Sequence, residues 1–385
     1  VADSRAVRFP RLWEIAWGCR LACGDRRVPG TYPPVALHGQ QVSCFLAPNV
    51  NAGYTHPPEL AARIRDWVAP LADQPYLLDV PDFRSNDKER ILRDIYTLCD
   101  QRFAVAGALL REEQPDMLMM VEMGVDRIHH AFWRYMDPTS PLYEPGSPFA
   151  DAIRDYYRHV DGHIGALLAE IDAETLVLVV SDHGARPLMG GFCINEWLIQ
   201  QGFLHLTQQP AGPTALDQAA VDWSRTKAWG AGGYYARIFL NVAGREPEGI
   251  VAPAEFAPIR EELAAALRAL RGPDGALLGN QVFVPQEIYR RVRGIAPDLI
   301  LYPGDLAWRA VGKVGMNELF TSENDTGPDD ANHAQHGLFI WHDPQRPGNG
   351  QQLHSASLYD MLPSLLDRFG IAAPEGLRGR VLAFA

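Results

Sequence analysis

Apolar residues in this chain fall into short runs that end in polar, chemically capable residues. Met117-Leu-Met-Met-Val121 follows Pro115-Asp116 and leads into Gly124-Val-Asp126, a pattern that predicts a buried strand ending in a loop. Thr175-Leu-Val-Leu-Val-Val180 predicts a second strand, which stops at Ser181-Asp-His-Gly184. Between them Ile153, Tyr156, Val160, Ile164, Leu167, Leu168 and Ile171 recur at steps of three and four, the apolar stripe of a helix packed on a surface. Strand, helix, strand is a βαβ order, because parallel neighbours need a crossover connection. The expected fold class is therefore α/β, with a mostly parallel central sheet flanked by helices. Asp298-Leu-Ile-Leu-Tyr302 and Gly337-Leu-Phe-Ile-Trp341 are later strand candidates. Near the end, Leu358, Met361, Leu362, Leu365 and Phe369 have helical spacing, with Gly370 as a stop and Pro363 as a start or kink. Residues 192–297 are less regular, rich in Gly, Pro and Trp, with an amphipathic stretch over residues 259–270. They read as an insertion or cap within a single domain spanning 1–385.

Composition narrows the class. The 385 residues are 47% hydrophobic and 21% charged, which suits a globular protein with a large core. A formal net charge of -12 leaves no basic surplus for nucleic acid backbone, so an anionic substrate needs a local source of positive charge. Bound metal ions supply such charge inside an acidic protein. The five cysteines, Cys19, Cys23, Cys44, Cys99 and Cys193, include no C-x-x-C pair; they suggest reduced thiols and a cytoplasmic setting rather than a disulfide framework. No apolar run approaches the ~20 residues of a membrane helix, and no secretory pattern opens the chain.

The candidate chemistry lies where apolar runs end, since ligands of open α/β sheets bind beyond the carboxyl ends of strands. Asp126 and His130 are four apart, so one helical turn puts both on one face. Asp182 and His183 follow a strand, where a turn at Gly184 can aim both into a crevice. His333 lies in Asn332-His-Ala-Gln-His-Gly337, just before the last strand candidate. Asp and His donors suit zinc, manganese or iron better than calcium. Two such ions about 4 Å apart can support in-line phosphoryl displacement.

Those motifs carry a resemblance. Val125-Asp-Arg-Ile-His-His-Ala-Phe-Trp133, Val180-Ser-Asp-His-Gly184 and Ala331-Asn-His-Ala-Gln-His-Gly-Leu-Phe-Ile340 resemble the type I phosphodiesterase and nucleotide pyrophosphatase branch of the alkaline phosphatase superfamily. Val28-Pro-Gly-Thr-Tyr-Pro-Pro34, Asn195-Glu-Trp-Leu198, Gly244-Arg-Glu-Pro247 and Leu358-Tyr-Asp-Met-Leu-Pro-Ser-Leu-Leu366 add to it. The resemblance implies an alkaline-phosphatase-like fold and two divalent metal ions, zinc first and manganese or iron as alternatives. It also implies Asp126, His130 and His333 around one ion and Asp182 and His183 at the other. His129 and His336 stand beside these ligands as alternatives to His130 and His333. Members of the family open with a strand ending in an Asp ligand, then a segment bearing a Thr, Ser or modified Cys nucleophile. Neither is found in this sequence, so an N-terminal segment is expected to be absent and the catalytic nucleophile is left unassigned.

The implied activity is hydrolysis of phosphodiester or nucleotide-pyrophosphate-like small molecules. A cofactor-independent phosphomutase shares the same metal cradle, and a metal-binding homologue without catalysis would also lack a nucleophile. Thr31 and Ser181 are hydroxyls near motifs but read as loop or capping groups, and Cys44, Cys99 and Cys193 lack the Cys-x-Pro-x-Arg context of formylglycine. Asp325, Asp329 and Asp330 read as a solvated acidic loop rather than support for His333. Trp133, Trp197 and Trp229 read as packing residues. Gly-x-Ser-x-Gly, His-Glu-x-x-His and Walker motifs are missing, and Gly230-Ala-Gly-Gly233 lacks dinucleotide spacing.

Overall fold

The structure is a computed structural model and describes residues 3–7, 9–18, 23–26, 28–322, 326–348, 350–353 and 355–383. Helix α1 (Leu12–Gly18), strands β1 (Cys23–Arg26), β2 (Gly39–Val42) and β3 (Thr55–His56), then α2 (Leu60–Val68) and the long α3 (Lys88–Glu113) open the chain. Next come β4 (Met117–Met120), α4 (Gly124–Met136), α5 (Ala152–Leu168), β5 (Val177–Val180), β6 (Gly184–Pro187), β7 (Gly190–Cys193) and α6 (Ile194–Gln200). A middle group holds β8 (Ala228–Ala231), β9 (Ala236–Leu240), α7 (Phe256–Arg268), β10 (Gln281–Phe283), α8 (Pro285–Ile288) and β11 (Leu299–Tyr302). The last are β12 (Trp308–Val311), β13 (Phe320–Thr321), β14 (Ala331–Ala334), β15 (Phe339–His342) and α9 (Leu358–Arg368).

The apolar runs do become strands, and the 153–171 stripe becomes α5, with Ile153, Tyr156 and Val160 buried. The fold is mixed α/β, but the expected mostly parallel sheet is not what forms. Parallel ladders join β1 to β2, β1 to β4, and β7 to β12. The other ladders among the described residues are antiparallel, including β5 with β15 and β6 with β14. Strands β4 and β5, which flank α5, belong to different sheets. The buried strand expected at 117–121 is only half-buried as β4, and β5 ends on exposed Val180; a strand's partner and its direction are set by segments far along the chain.

Two cores matter for the site. Helices α3, α4 and α5 pack through Ile91, Ile95, Leu98, Ile128, Phe132 and Tyr156, all fully buried. Burying Ile128 and Phe132 stabilises by about 1.5–3 kcal/mol each, and so fixes how α4 rolls on its neighbours. Another core gathers Phe192, Leu198, Ile238, Leu263, Leu267 and Leu301, around the antiparallel sheet β10-β11-β9-β8 and helices α6 and α7. Cys44, Cys99 and Cys193 are buried and unbridged; Cys19 and the side chain of Cys23 lie outside the described structure. Among the described residues no helix is long and apolar enough to cross a membrane.

Candidate metal centre

Strand β4 runs into α4, and Asp126 sits in the first turn, where the helix N-terminus favours a carboxylate. Helix α4 can begin so close to α5 because residue 124 is glycine: a Cβ there would lie 1.8 Å from the Tyr156 hydroxyl oxygen. One turn later His130 shares the face of Asp126, 3.4 Å between His130 Nε2 and Asp126 Oδ1. The opposite ring nitrogen, His130 Nδ1, is 2.6 Å from Asp329 Oδ1. That contact fixes the ring so that Nε2 faces the cluster.

The other histidines arrive through β6 and β14. Their antiparallel register sets His333 opposite Ala185, two positions beyond His183. The pair is tied to α4 where Asp330 N–H donates to His130 O at 2.8 Å. Close approach of the chain at this corner needs glycine, since a Cβ on Gly184 would stand 2.1 Å from the carbonyl oxygen of His336. His333 Nε2 then lies 3.4 Å from Asp126 Oδ1 and 3.3 Å from His130 Nε2. His183 stacks on His333 with ring centres 3.7 Å apart, its Nε2 3.9 Å from Asp126 Oδ1.

These distances test whether the residues fit a metal. Around a tetrahedral zinc-type ion, donors about 2.0–2.1 Å from the centre stand about 3.3 Å from one another. Asp126 Oδ1, His130 Nε2 and His333 Nε2 form a triangle of edges 3.4, 3.4 and 3.3 Å, so they can cap one face of such an ion. Donor atoms of Asp126, His183 and His333 also lie within 4.8 Å of one another, so His183 adjoins the triangle. Asp182 stands at the rim, 73% exposed, with Oδ1 3.6 Å from His183 Nε2.

The charges in the cluster depend on one another. Burial opposes ionisation of Asp126, but hydrogen bonds from His130 and His333, with the charges of His130 and Arg127, hold its carboxyl well below the usual range. Burial likewise opposes a charged His130, and Asp126 and Asp329 overcome it, raising the imidazole to about 10. Burial lowers His333 despite Asp126. Around the cluster, Arg127 pairs with Asp126 and Asp79, and Arg84 and Arg309 pair with Asp329. The guanidiniums are thus already matched by carboxylates.

The alternatives separate. His129 points away, its Nε2 3.3 Å from the Tyr157 hydroxyl, and burial pushes its imidazole down to about 4. His336 is exposed and joins no group of ligand atoms among the described residues. Thr31 Oγ1 donates to Val28 O and accepts from Cys44 N–H, while Ser181 Oγ accepts from Leu338 N–H, so both hydroxyls serve loops.

The expectation of a solvated loop at Asp329 and Asp330 is wrong: they are 5% and 1% exposed. His130, Arg84 and Arg309 draw Asp329 inward, and Arg134 Nε donates to Asp330 Oδ1 at 2.7 Å. Asp325 lies outside the described residues. Tyr234 escaped the sequence reading altogether. Its ring stacks on His333 at 4.0 Å and its hydroxyl accepts from Arg84 Nη2 at 3.1 Å. Its only signal is a Tyr-Tyr pair after the Gly230-Ala-Gly-Gly233 run.

An Asp/His cluster set at strand and helix ends of a mixed α/β fold offers the oxygen and nitrogen donors that a divalent ion could take. The type I phosphodiesterase/nucleotide pyrophosphatase profile matches residues 2–338, and the chain belongs to that family. Similar solved structures include phosphonoacetate hydrolase from Sinorhizobium meliloti 1021 with phosphonoacetate, at 16% identity and TM-score 0.48, covering 89% of this chain and 70% of that one. The same enzyme with phosphonoformate matches at 16% identity and TM-score 0.49, covering 88% and 69%. No curated protein sequence matches.

Proposed function

We propose that this chain hydrolyses phosphodiesters or nucleotide-type pyrophosphates with two divalent cations, zinc first among them. The observation that carries this reading is the Asp126–His130–His333 triangle, whose edges suit three ligands of one ion. Asp182 and His183 are the ligands of the second. When bound, the cations supply the positive charge that stabilises a phosphoryl group under in-line attack. The chain's own residues do the rest. Asp329 holds His130 in one tautomer, Arg127 braces Asp126, and matching of the arginines by carboxylates keeps them from replacing the cations. Tyr234, from the loop between β8 and β9, brings an aromatic face from the 192–297 cap to the cluster, where it can orient a substrate.

The test is chelation and reconstitution with a substrate panel. Stripped protein should lose release of product from a bis-aryl phosphate and from an aryl ester of a nucleoside monophosphate, and Zn2+, Mn2+ or Fe2+ should restore it. Hydrolysis indifferent to chelation would refute the proposal, as would full metal content in Asp126→Asn and His333→Gln. Positional transfer of phosphate without release would point instead to a mutase.

A further inference from the structure

A second group of metal-ligating side chains lies between α3 and α5 and shares no residue with the Asp126 cluster. His159 and His163 are one turn apart on α5, so both imidazoles face α3 together. There they meet Asp100. His159 Nε2 is 2.7 Å and His163 Nε2 is 2.8 Å from the same oxygen, Asp100 Oδ1, and the two ring nitrogens are 3.2 Å apart. Cys99 adds a thiol: one ligand atom each of Cys99, His159 and His163 lies within 4.8 Å of the others.

The rings are held before any ligand arrives. Phe103 stacks on His163 at 4.8 Å with planes 11° apart, and Tyr96 lies 4.7 Å from the ring of His159. The site is also reachable, since the side chains of His159, His163 and Asp100 keep 30%, 27% and 37% of their exposure. A carboxylate bridging two imidazoles would account for each hydrogen bond singly. It leaves without a role the Cys99 thiol, whose sulfur lies within 4.8 Å of a ligand atom of each ring.

We propose that Asp100, His159 and His163, with Cys99 as the fourth donor, bind a zinc-class transition-metal ion that fastens α5 to α3. The triangle of edges 2.7, 2.8 and 3.2 Å needs to open only slightly to reach the roughly 3.3 Å separation of donors on a tetrahedral ion. Two imidazoles, a carboxylate and a thiol form the borderline N, O and S set that selects zinc over calcium or magnesium.

The experiment counts zinc bound by the full chain after stripping and titration. Asp126→Asn/His333→Gln should keep the α3–α5 ion and still show a zinc-dependent rise in Tm. His159→Gln/His163→Gln should bind one equivalent fewer than wild type. Equal zinc content in wild type and the His159/His163 variant would overturn the site, whatever happens at Asp126. If that double variant does not fold, diethyl pyrocarbonate labelling of wild type decides. Zinc at about ten times its Kd should slow labelling of His159 and His163 about tenfold, and unchanged labelling would overturn the proposal.

Discussion

Asp329→Asn probes the site without touching a cluster ligand. The buried carboxylate accepts from His130 Nδ1 at 2.6 Å and meets Arg84 Nε at 3.1 Å and Arg309 Nη1 at 3.5 Å. Asparagine keeps the shape and can still accept one hydrogen bond, but the charge is gone. Loss of an orienting partner of a metal-bound histidine lowers affinity by about 10–100-fold, or about 1.4–2.7 kcal/mol. A separate effect falls on stability. Arg309, nearly buried, loses the carboxylate its guanidinium faces, and breaking a fully buried ion pair costs about 3–5 kcal/mol, which is the upper limit here. Arg84 is 20% exposed and can turn to water, so its lost contact costs less. Competition against a chromophoric chelator gives the metal Kd, and circular dichroism with thermal melting shows whether the fold persists. A folded Asp329→Asn protein with wild-type metal affinity would refute the claim that this carboxylate sets the histidine.

Asp182→Ala should lower bound metal and phosphodiester hydrolysis together, as read by metal analysis and initial rates, because it removes a proposed charged ligand and little packing. Gly184→Ala should force the strand corner apart, since the new Cβ would meet the His336 carbonyl at 2.1 Å; a loss of about 1–3 kcal/mol in urea unfolding and a fall in kcat are expected. Asp343 accepts from Arg368 Nε at 2.6 Å and Nη2 at 3.2 Å, and those contacts hold its carboxyl below the usual range. A depressed carboxyl stabilises the folded state above its unfolded pKa and loses that contribution as pH falls through the folded value. Asp343→Asn should therefore lower Tm at neutral pH, with the gap to wild type closing below about pH 4.

Much of the site could be read from spacing. The i, i+4 pair Asp126 and His130 and the Asp-His-Gly turn after β5 are local patterns, and the structure brings His130, His183 and His333 around Asp126. Asp329 was harder to read, because acidic runs are usually solvated and its burial depends on His130, 199 positions earlier. Helix α3 escaped for a related reason: its apolar stripe is interrupted by buried Asp94, Gln101 and Arg102. Two of these bond to the backbone of other segments, as in Leu77 N–H to Gln101 and Arg102 to Val121 O. Strand β14, Ala331–Ala334, has no apolar run to announce it and exists through its ladder with β6.

The contact between His130 and His333 spans 203 positions, and the β8–β11 sheet with its own core lies in the intervening sequence. Closing so long a loop is slow and must precede assembly of the cradle. During refolding, ion uptake at Asp126 should therefore lag behind the helical signal, which makes metal capture a clock for the final step of folding.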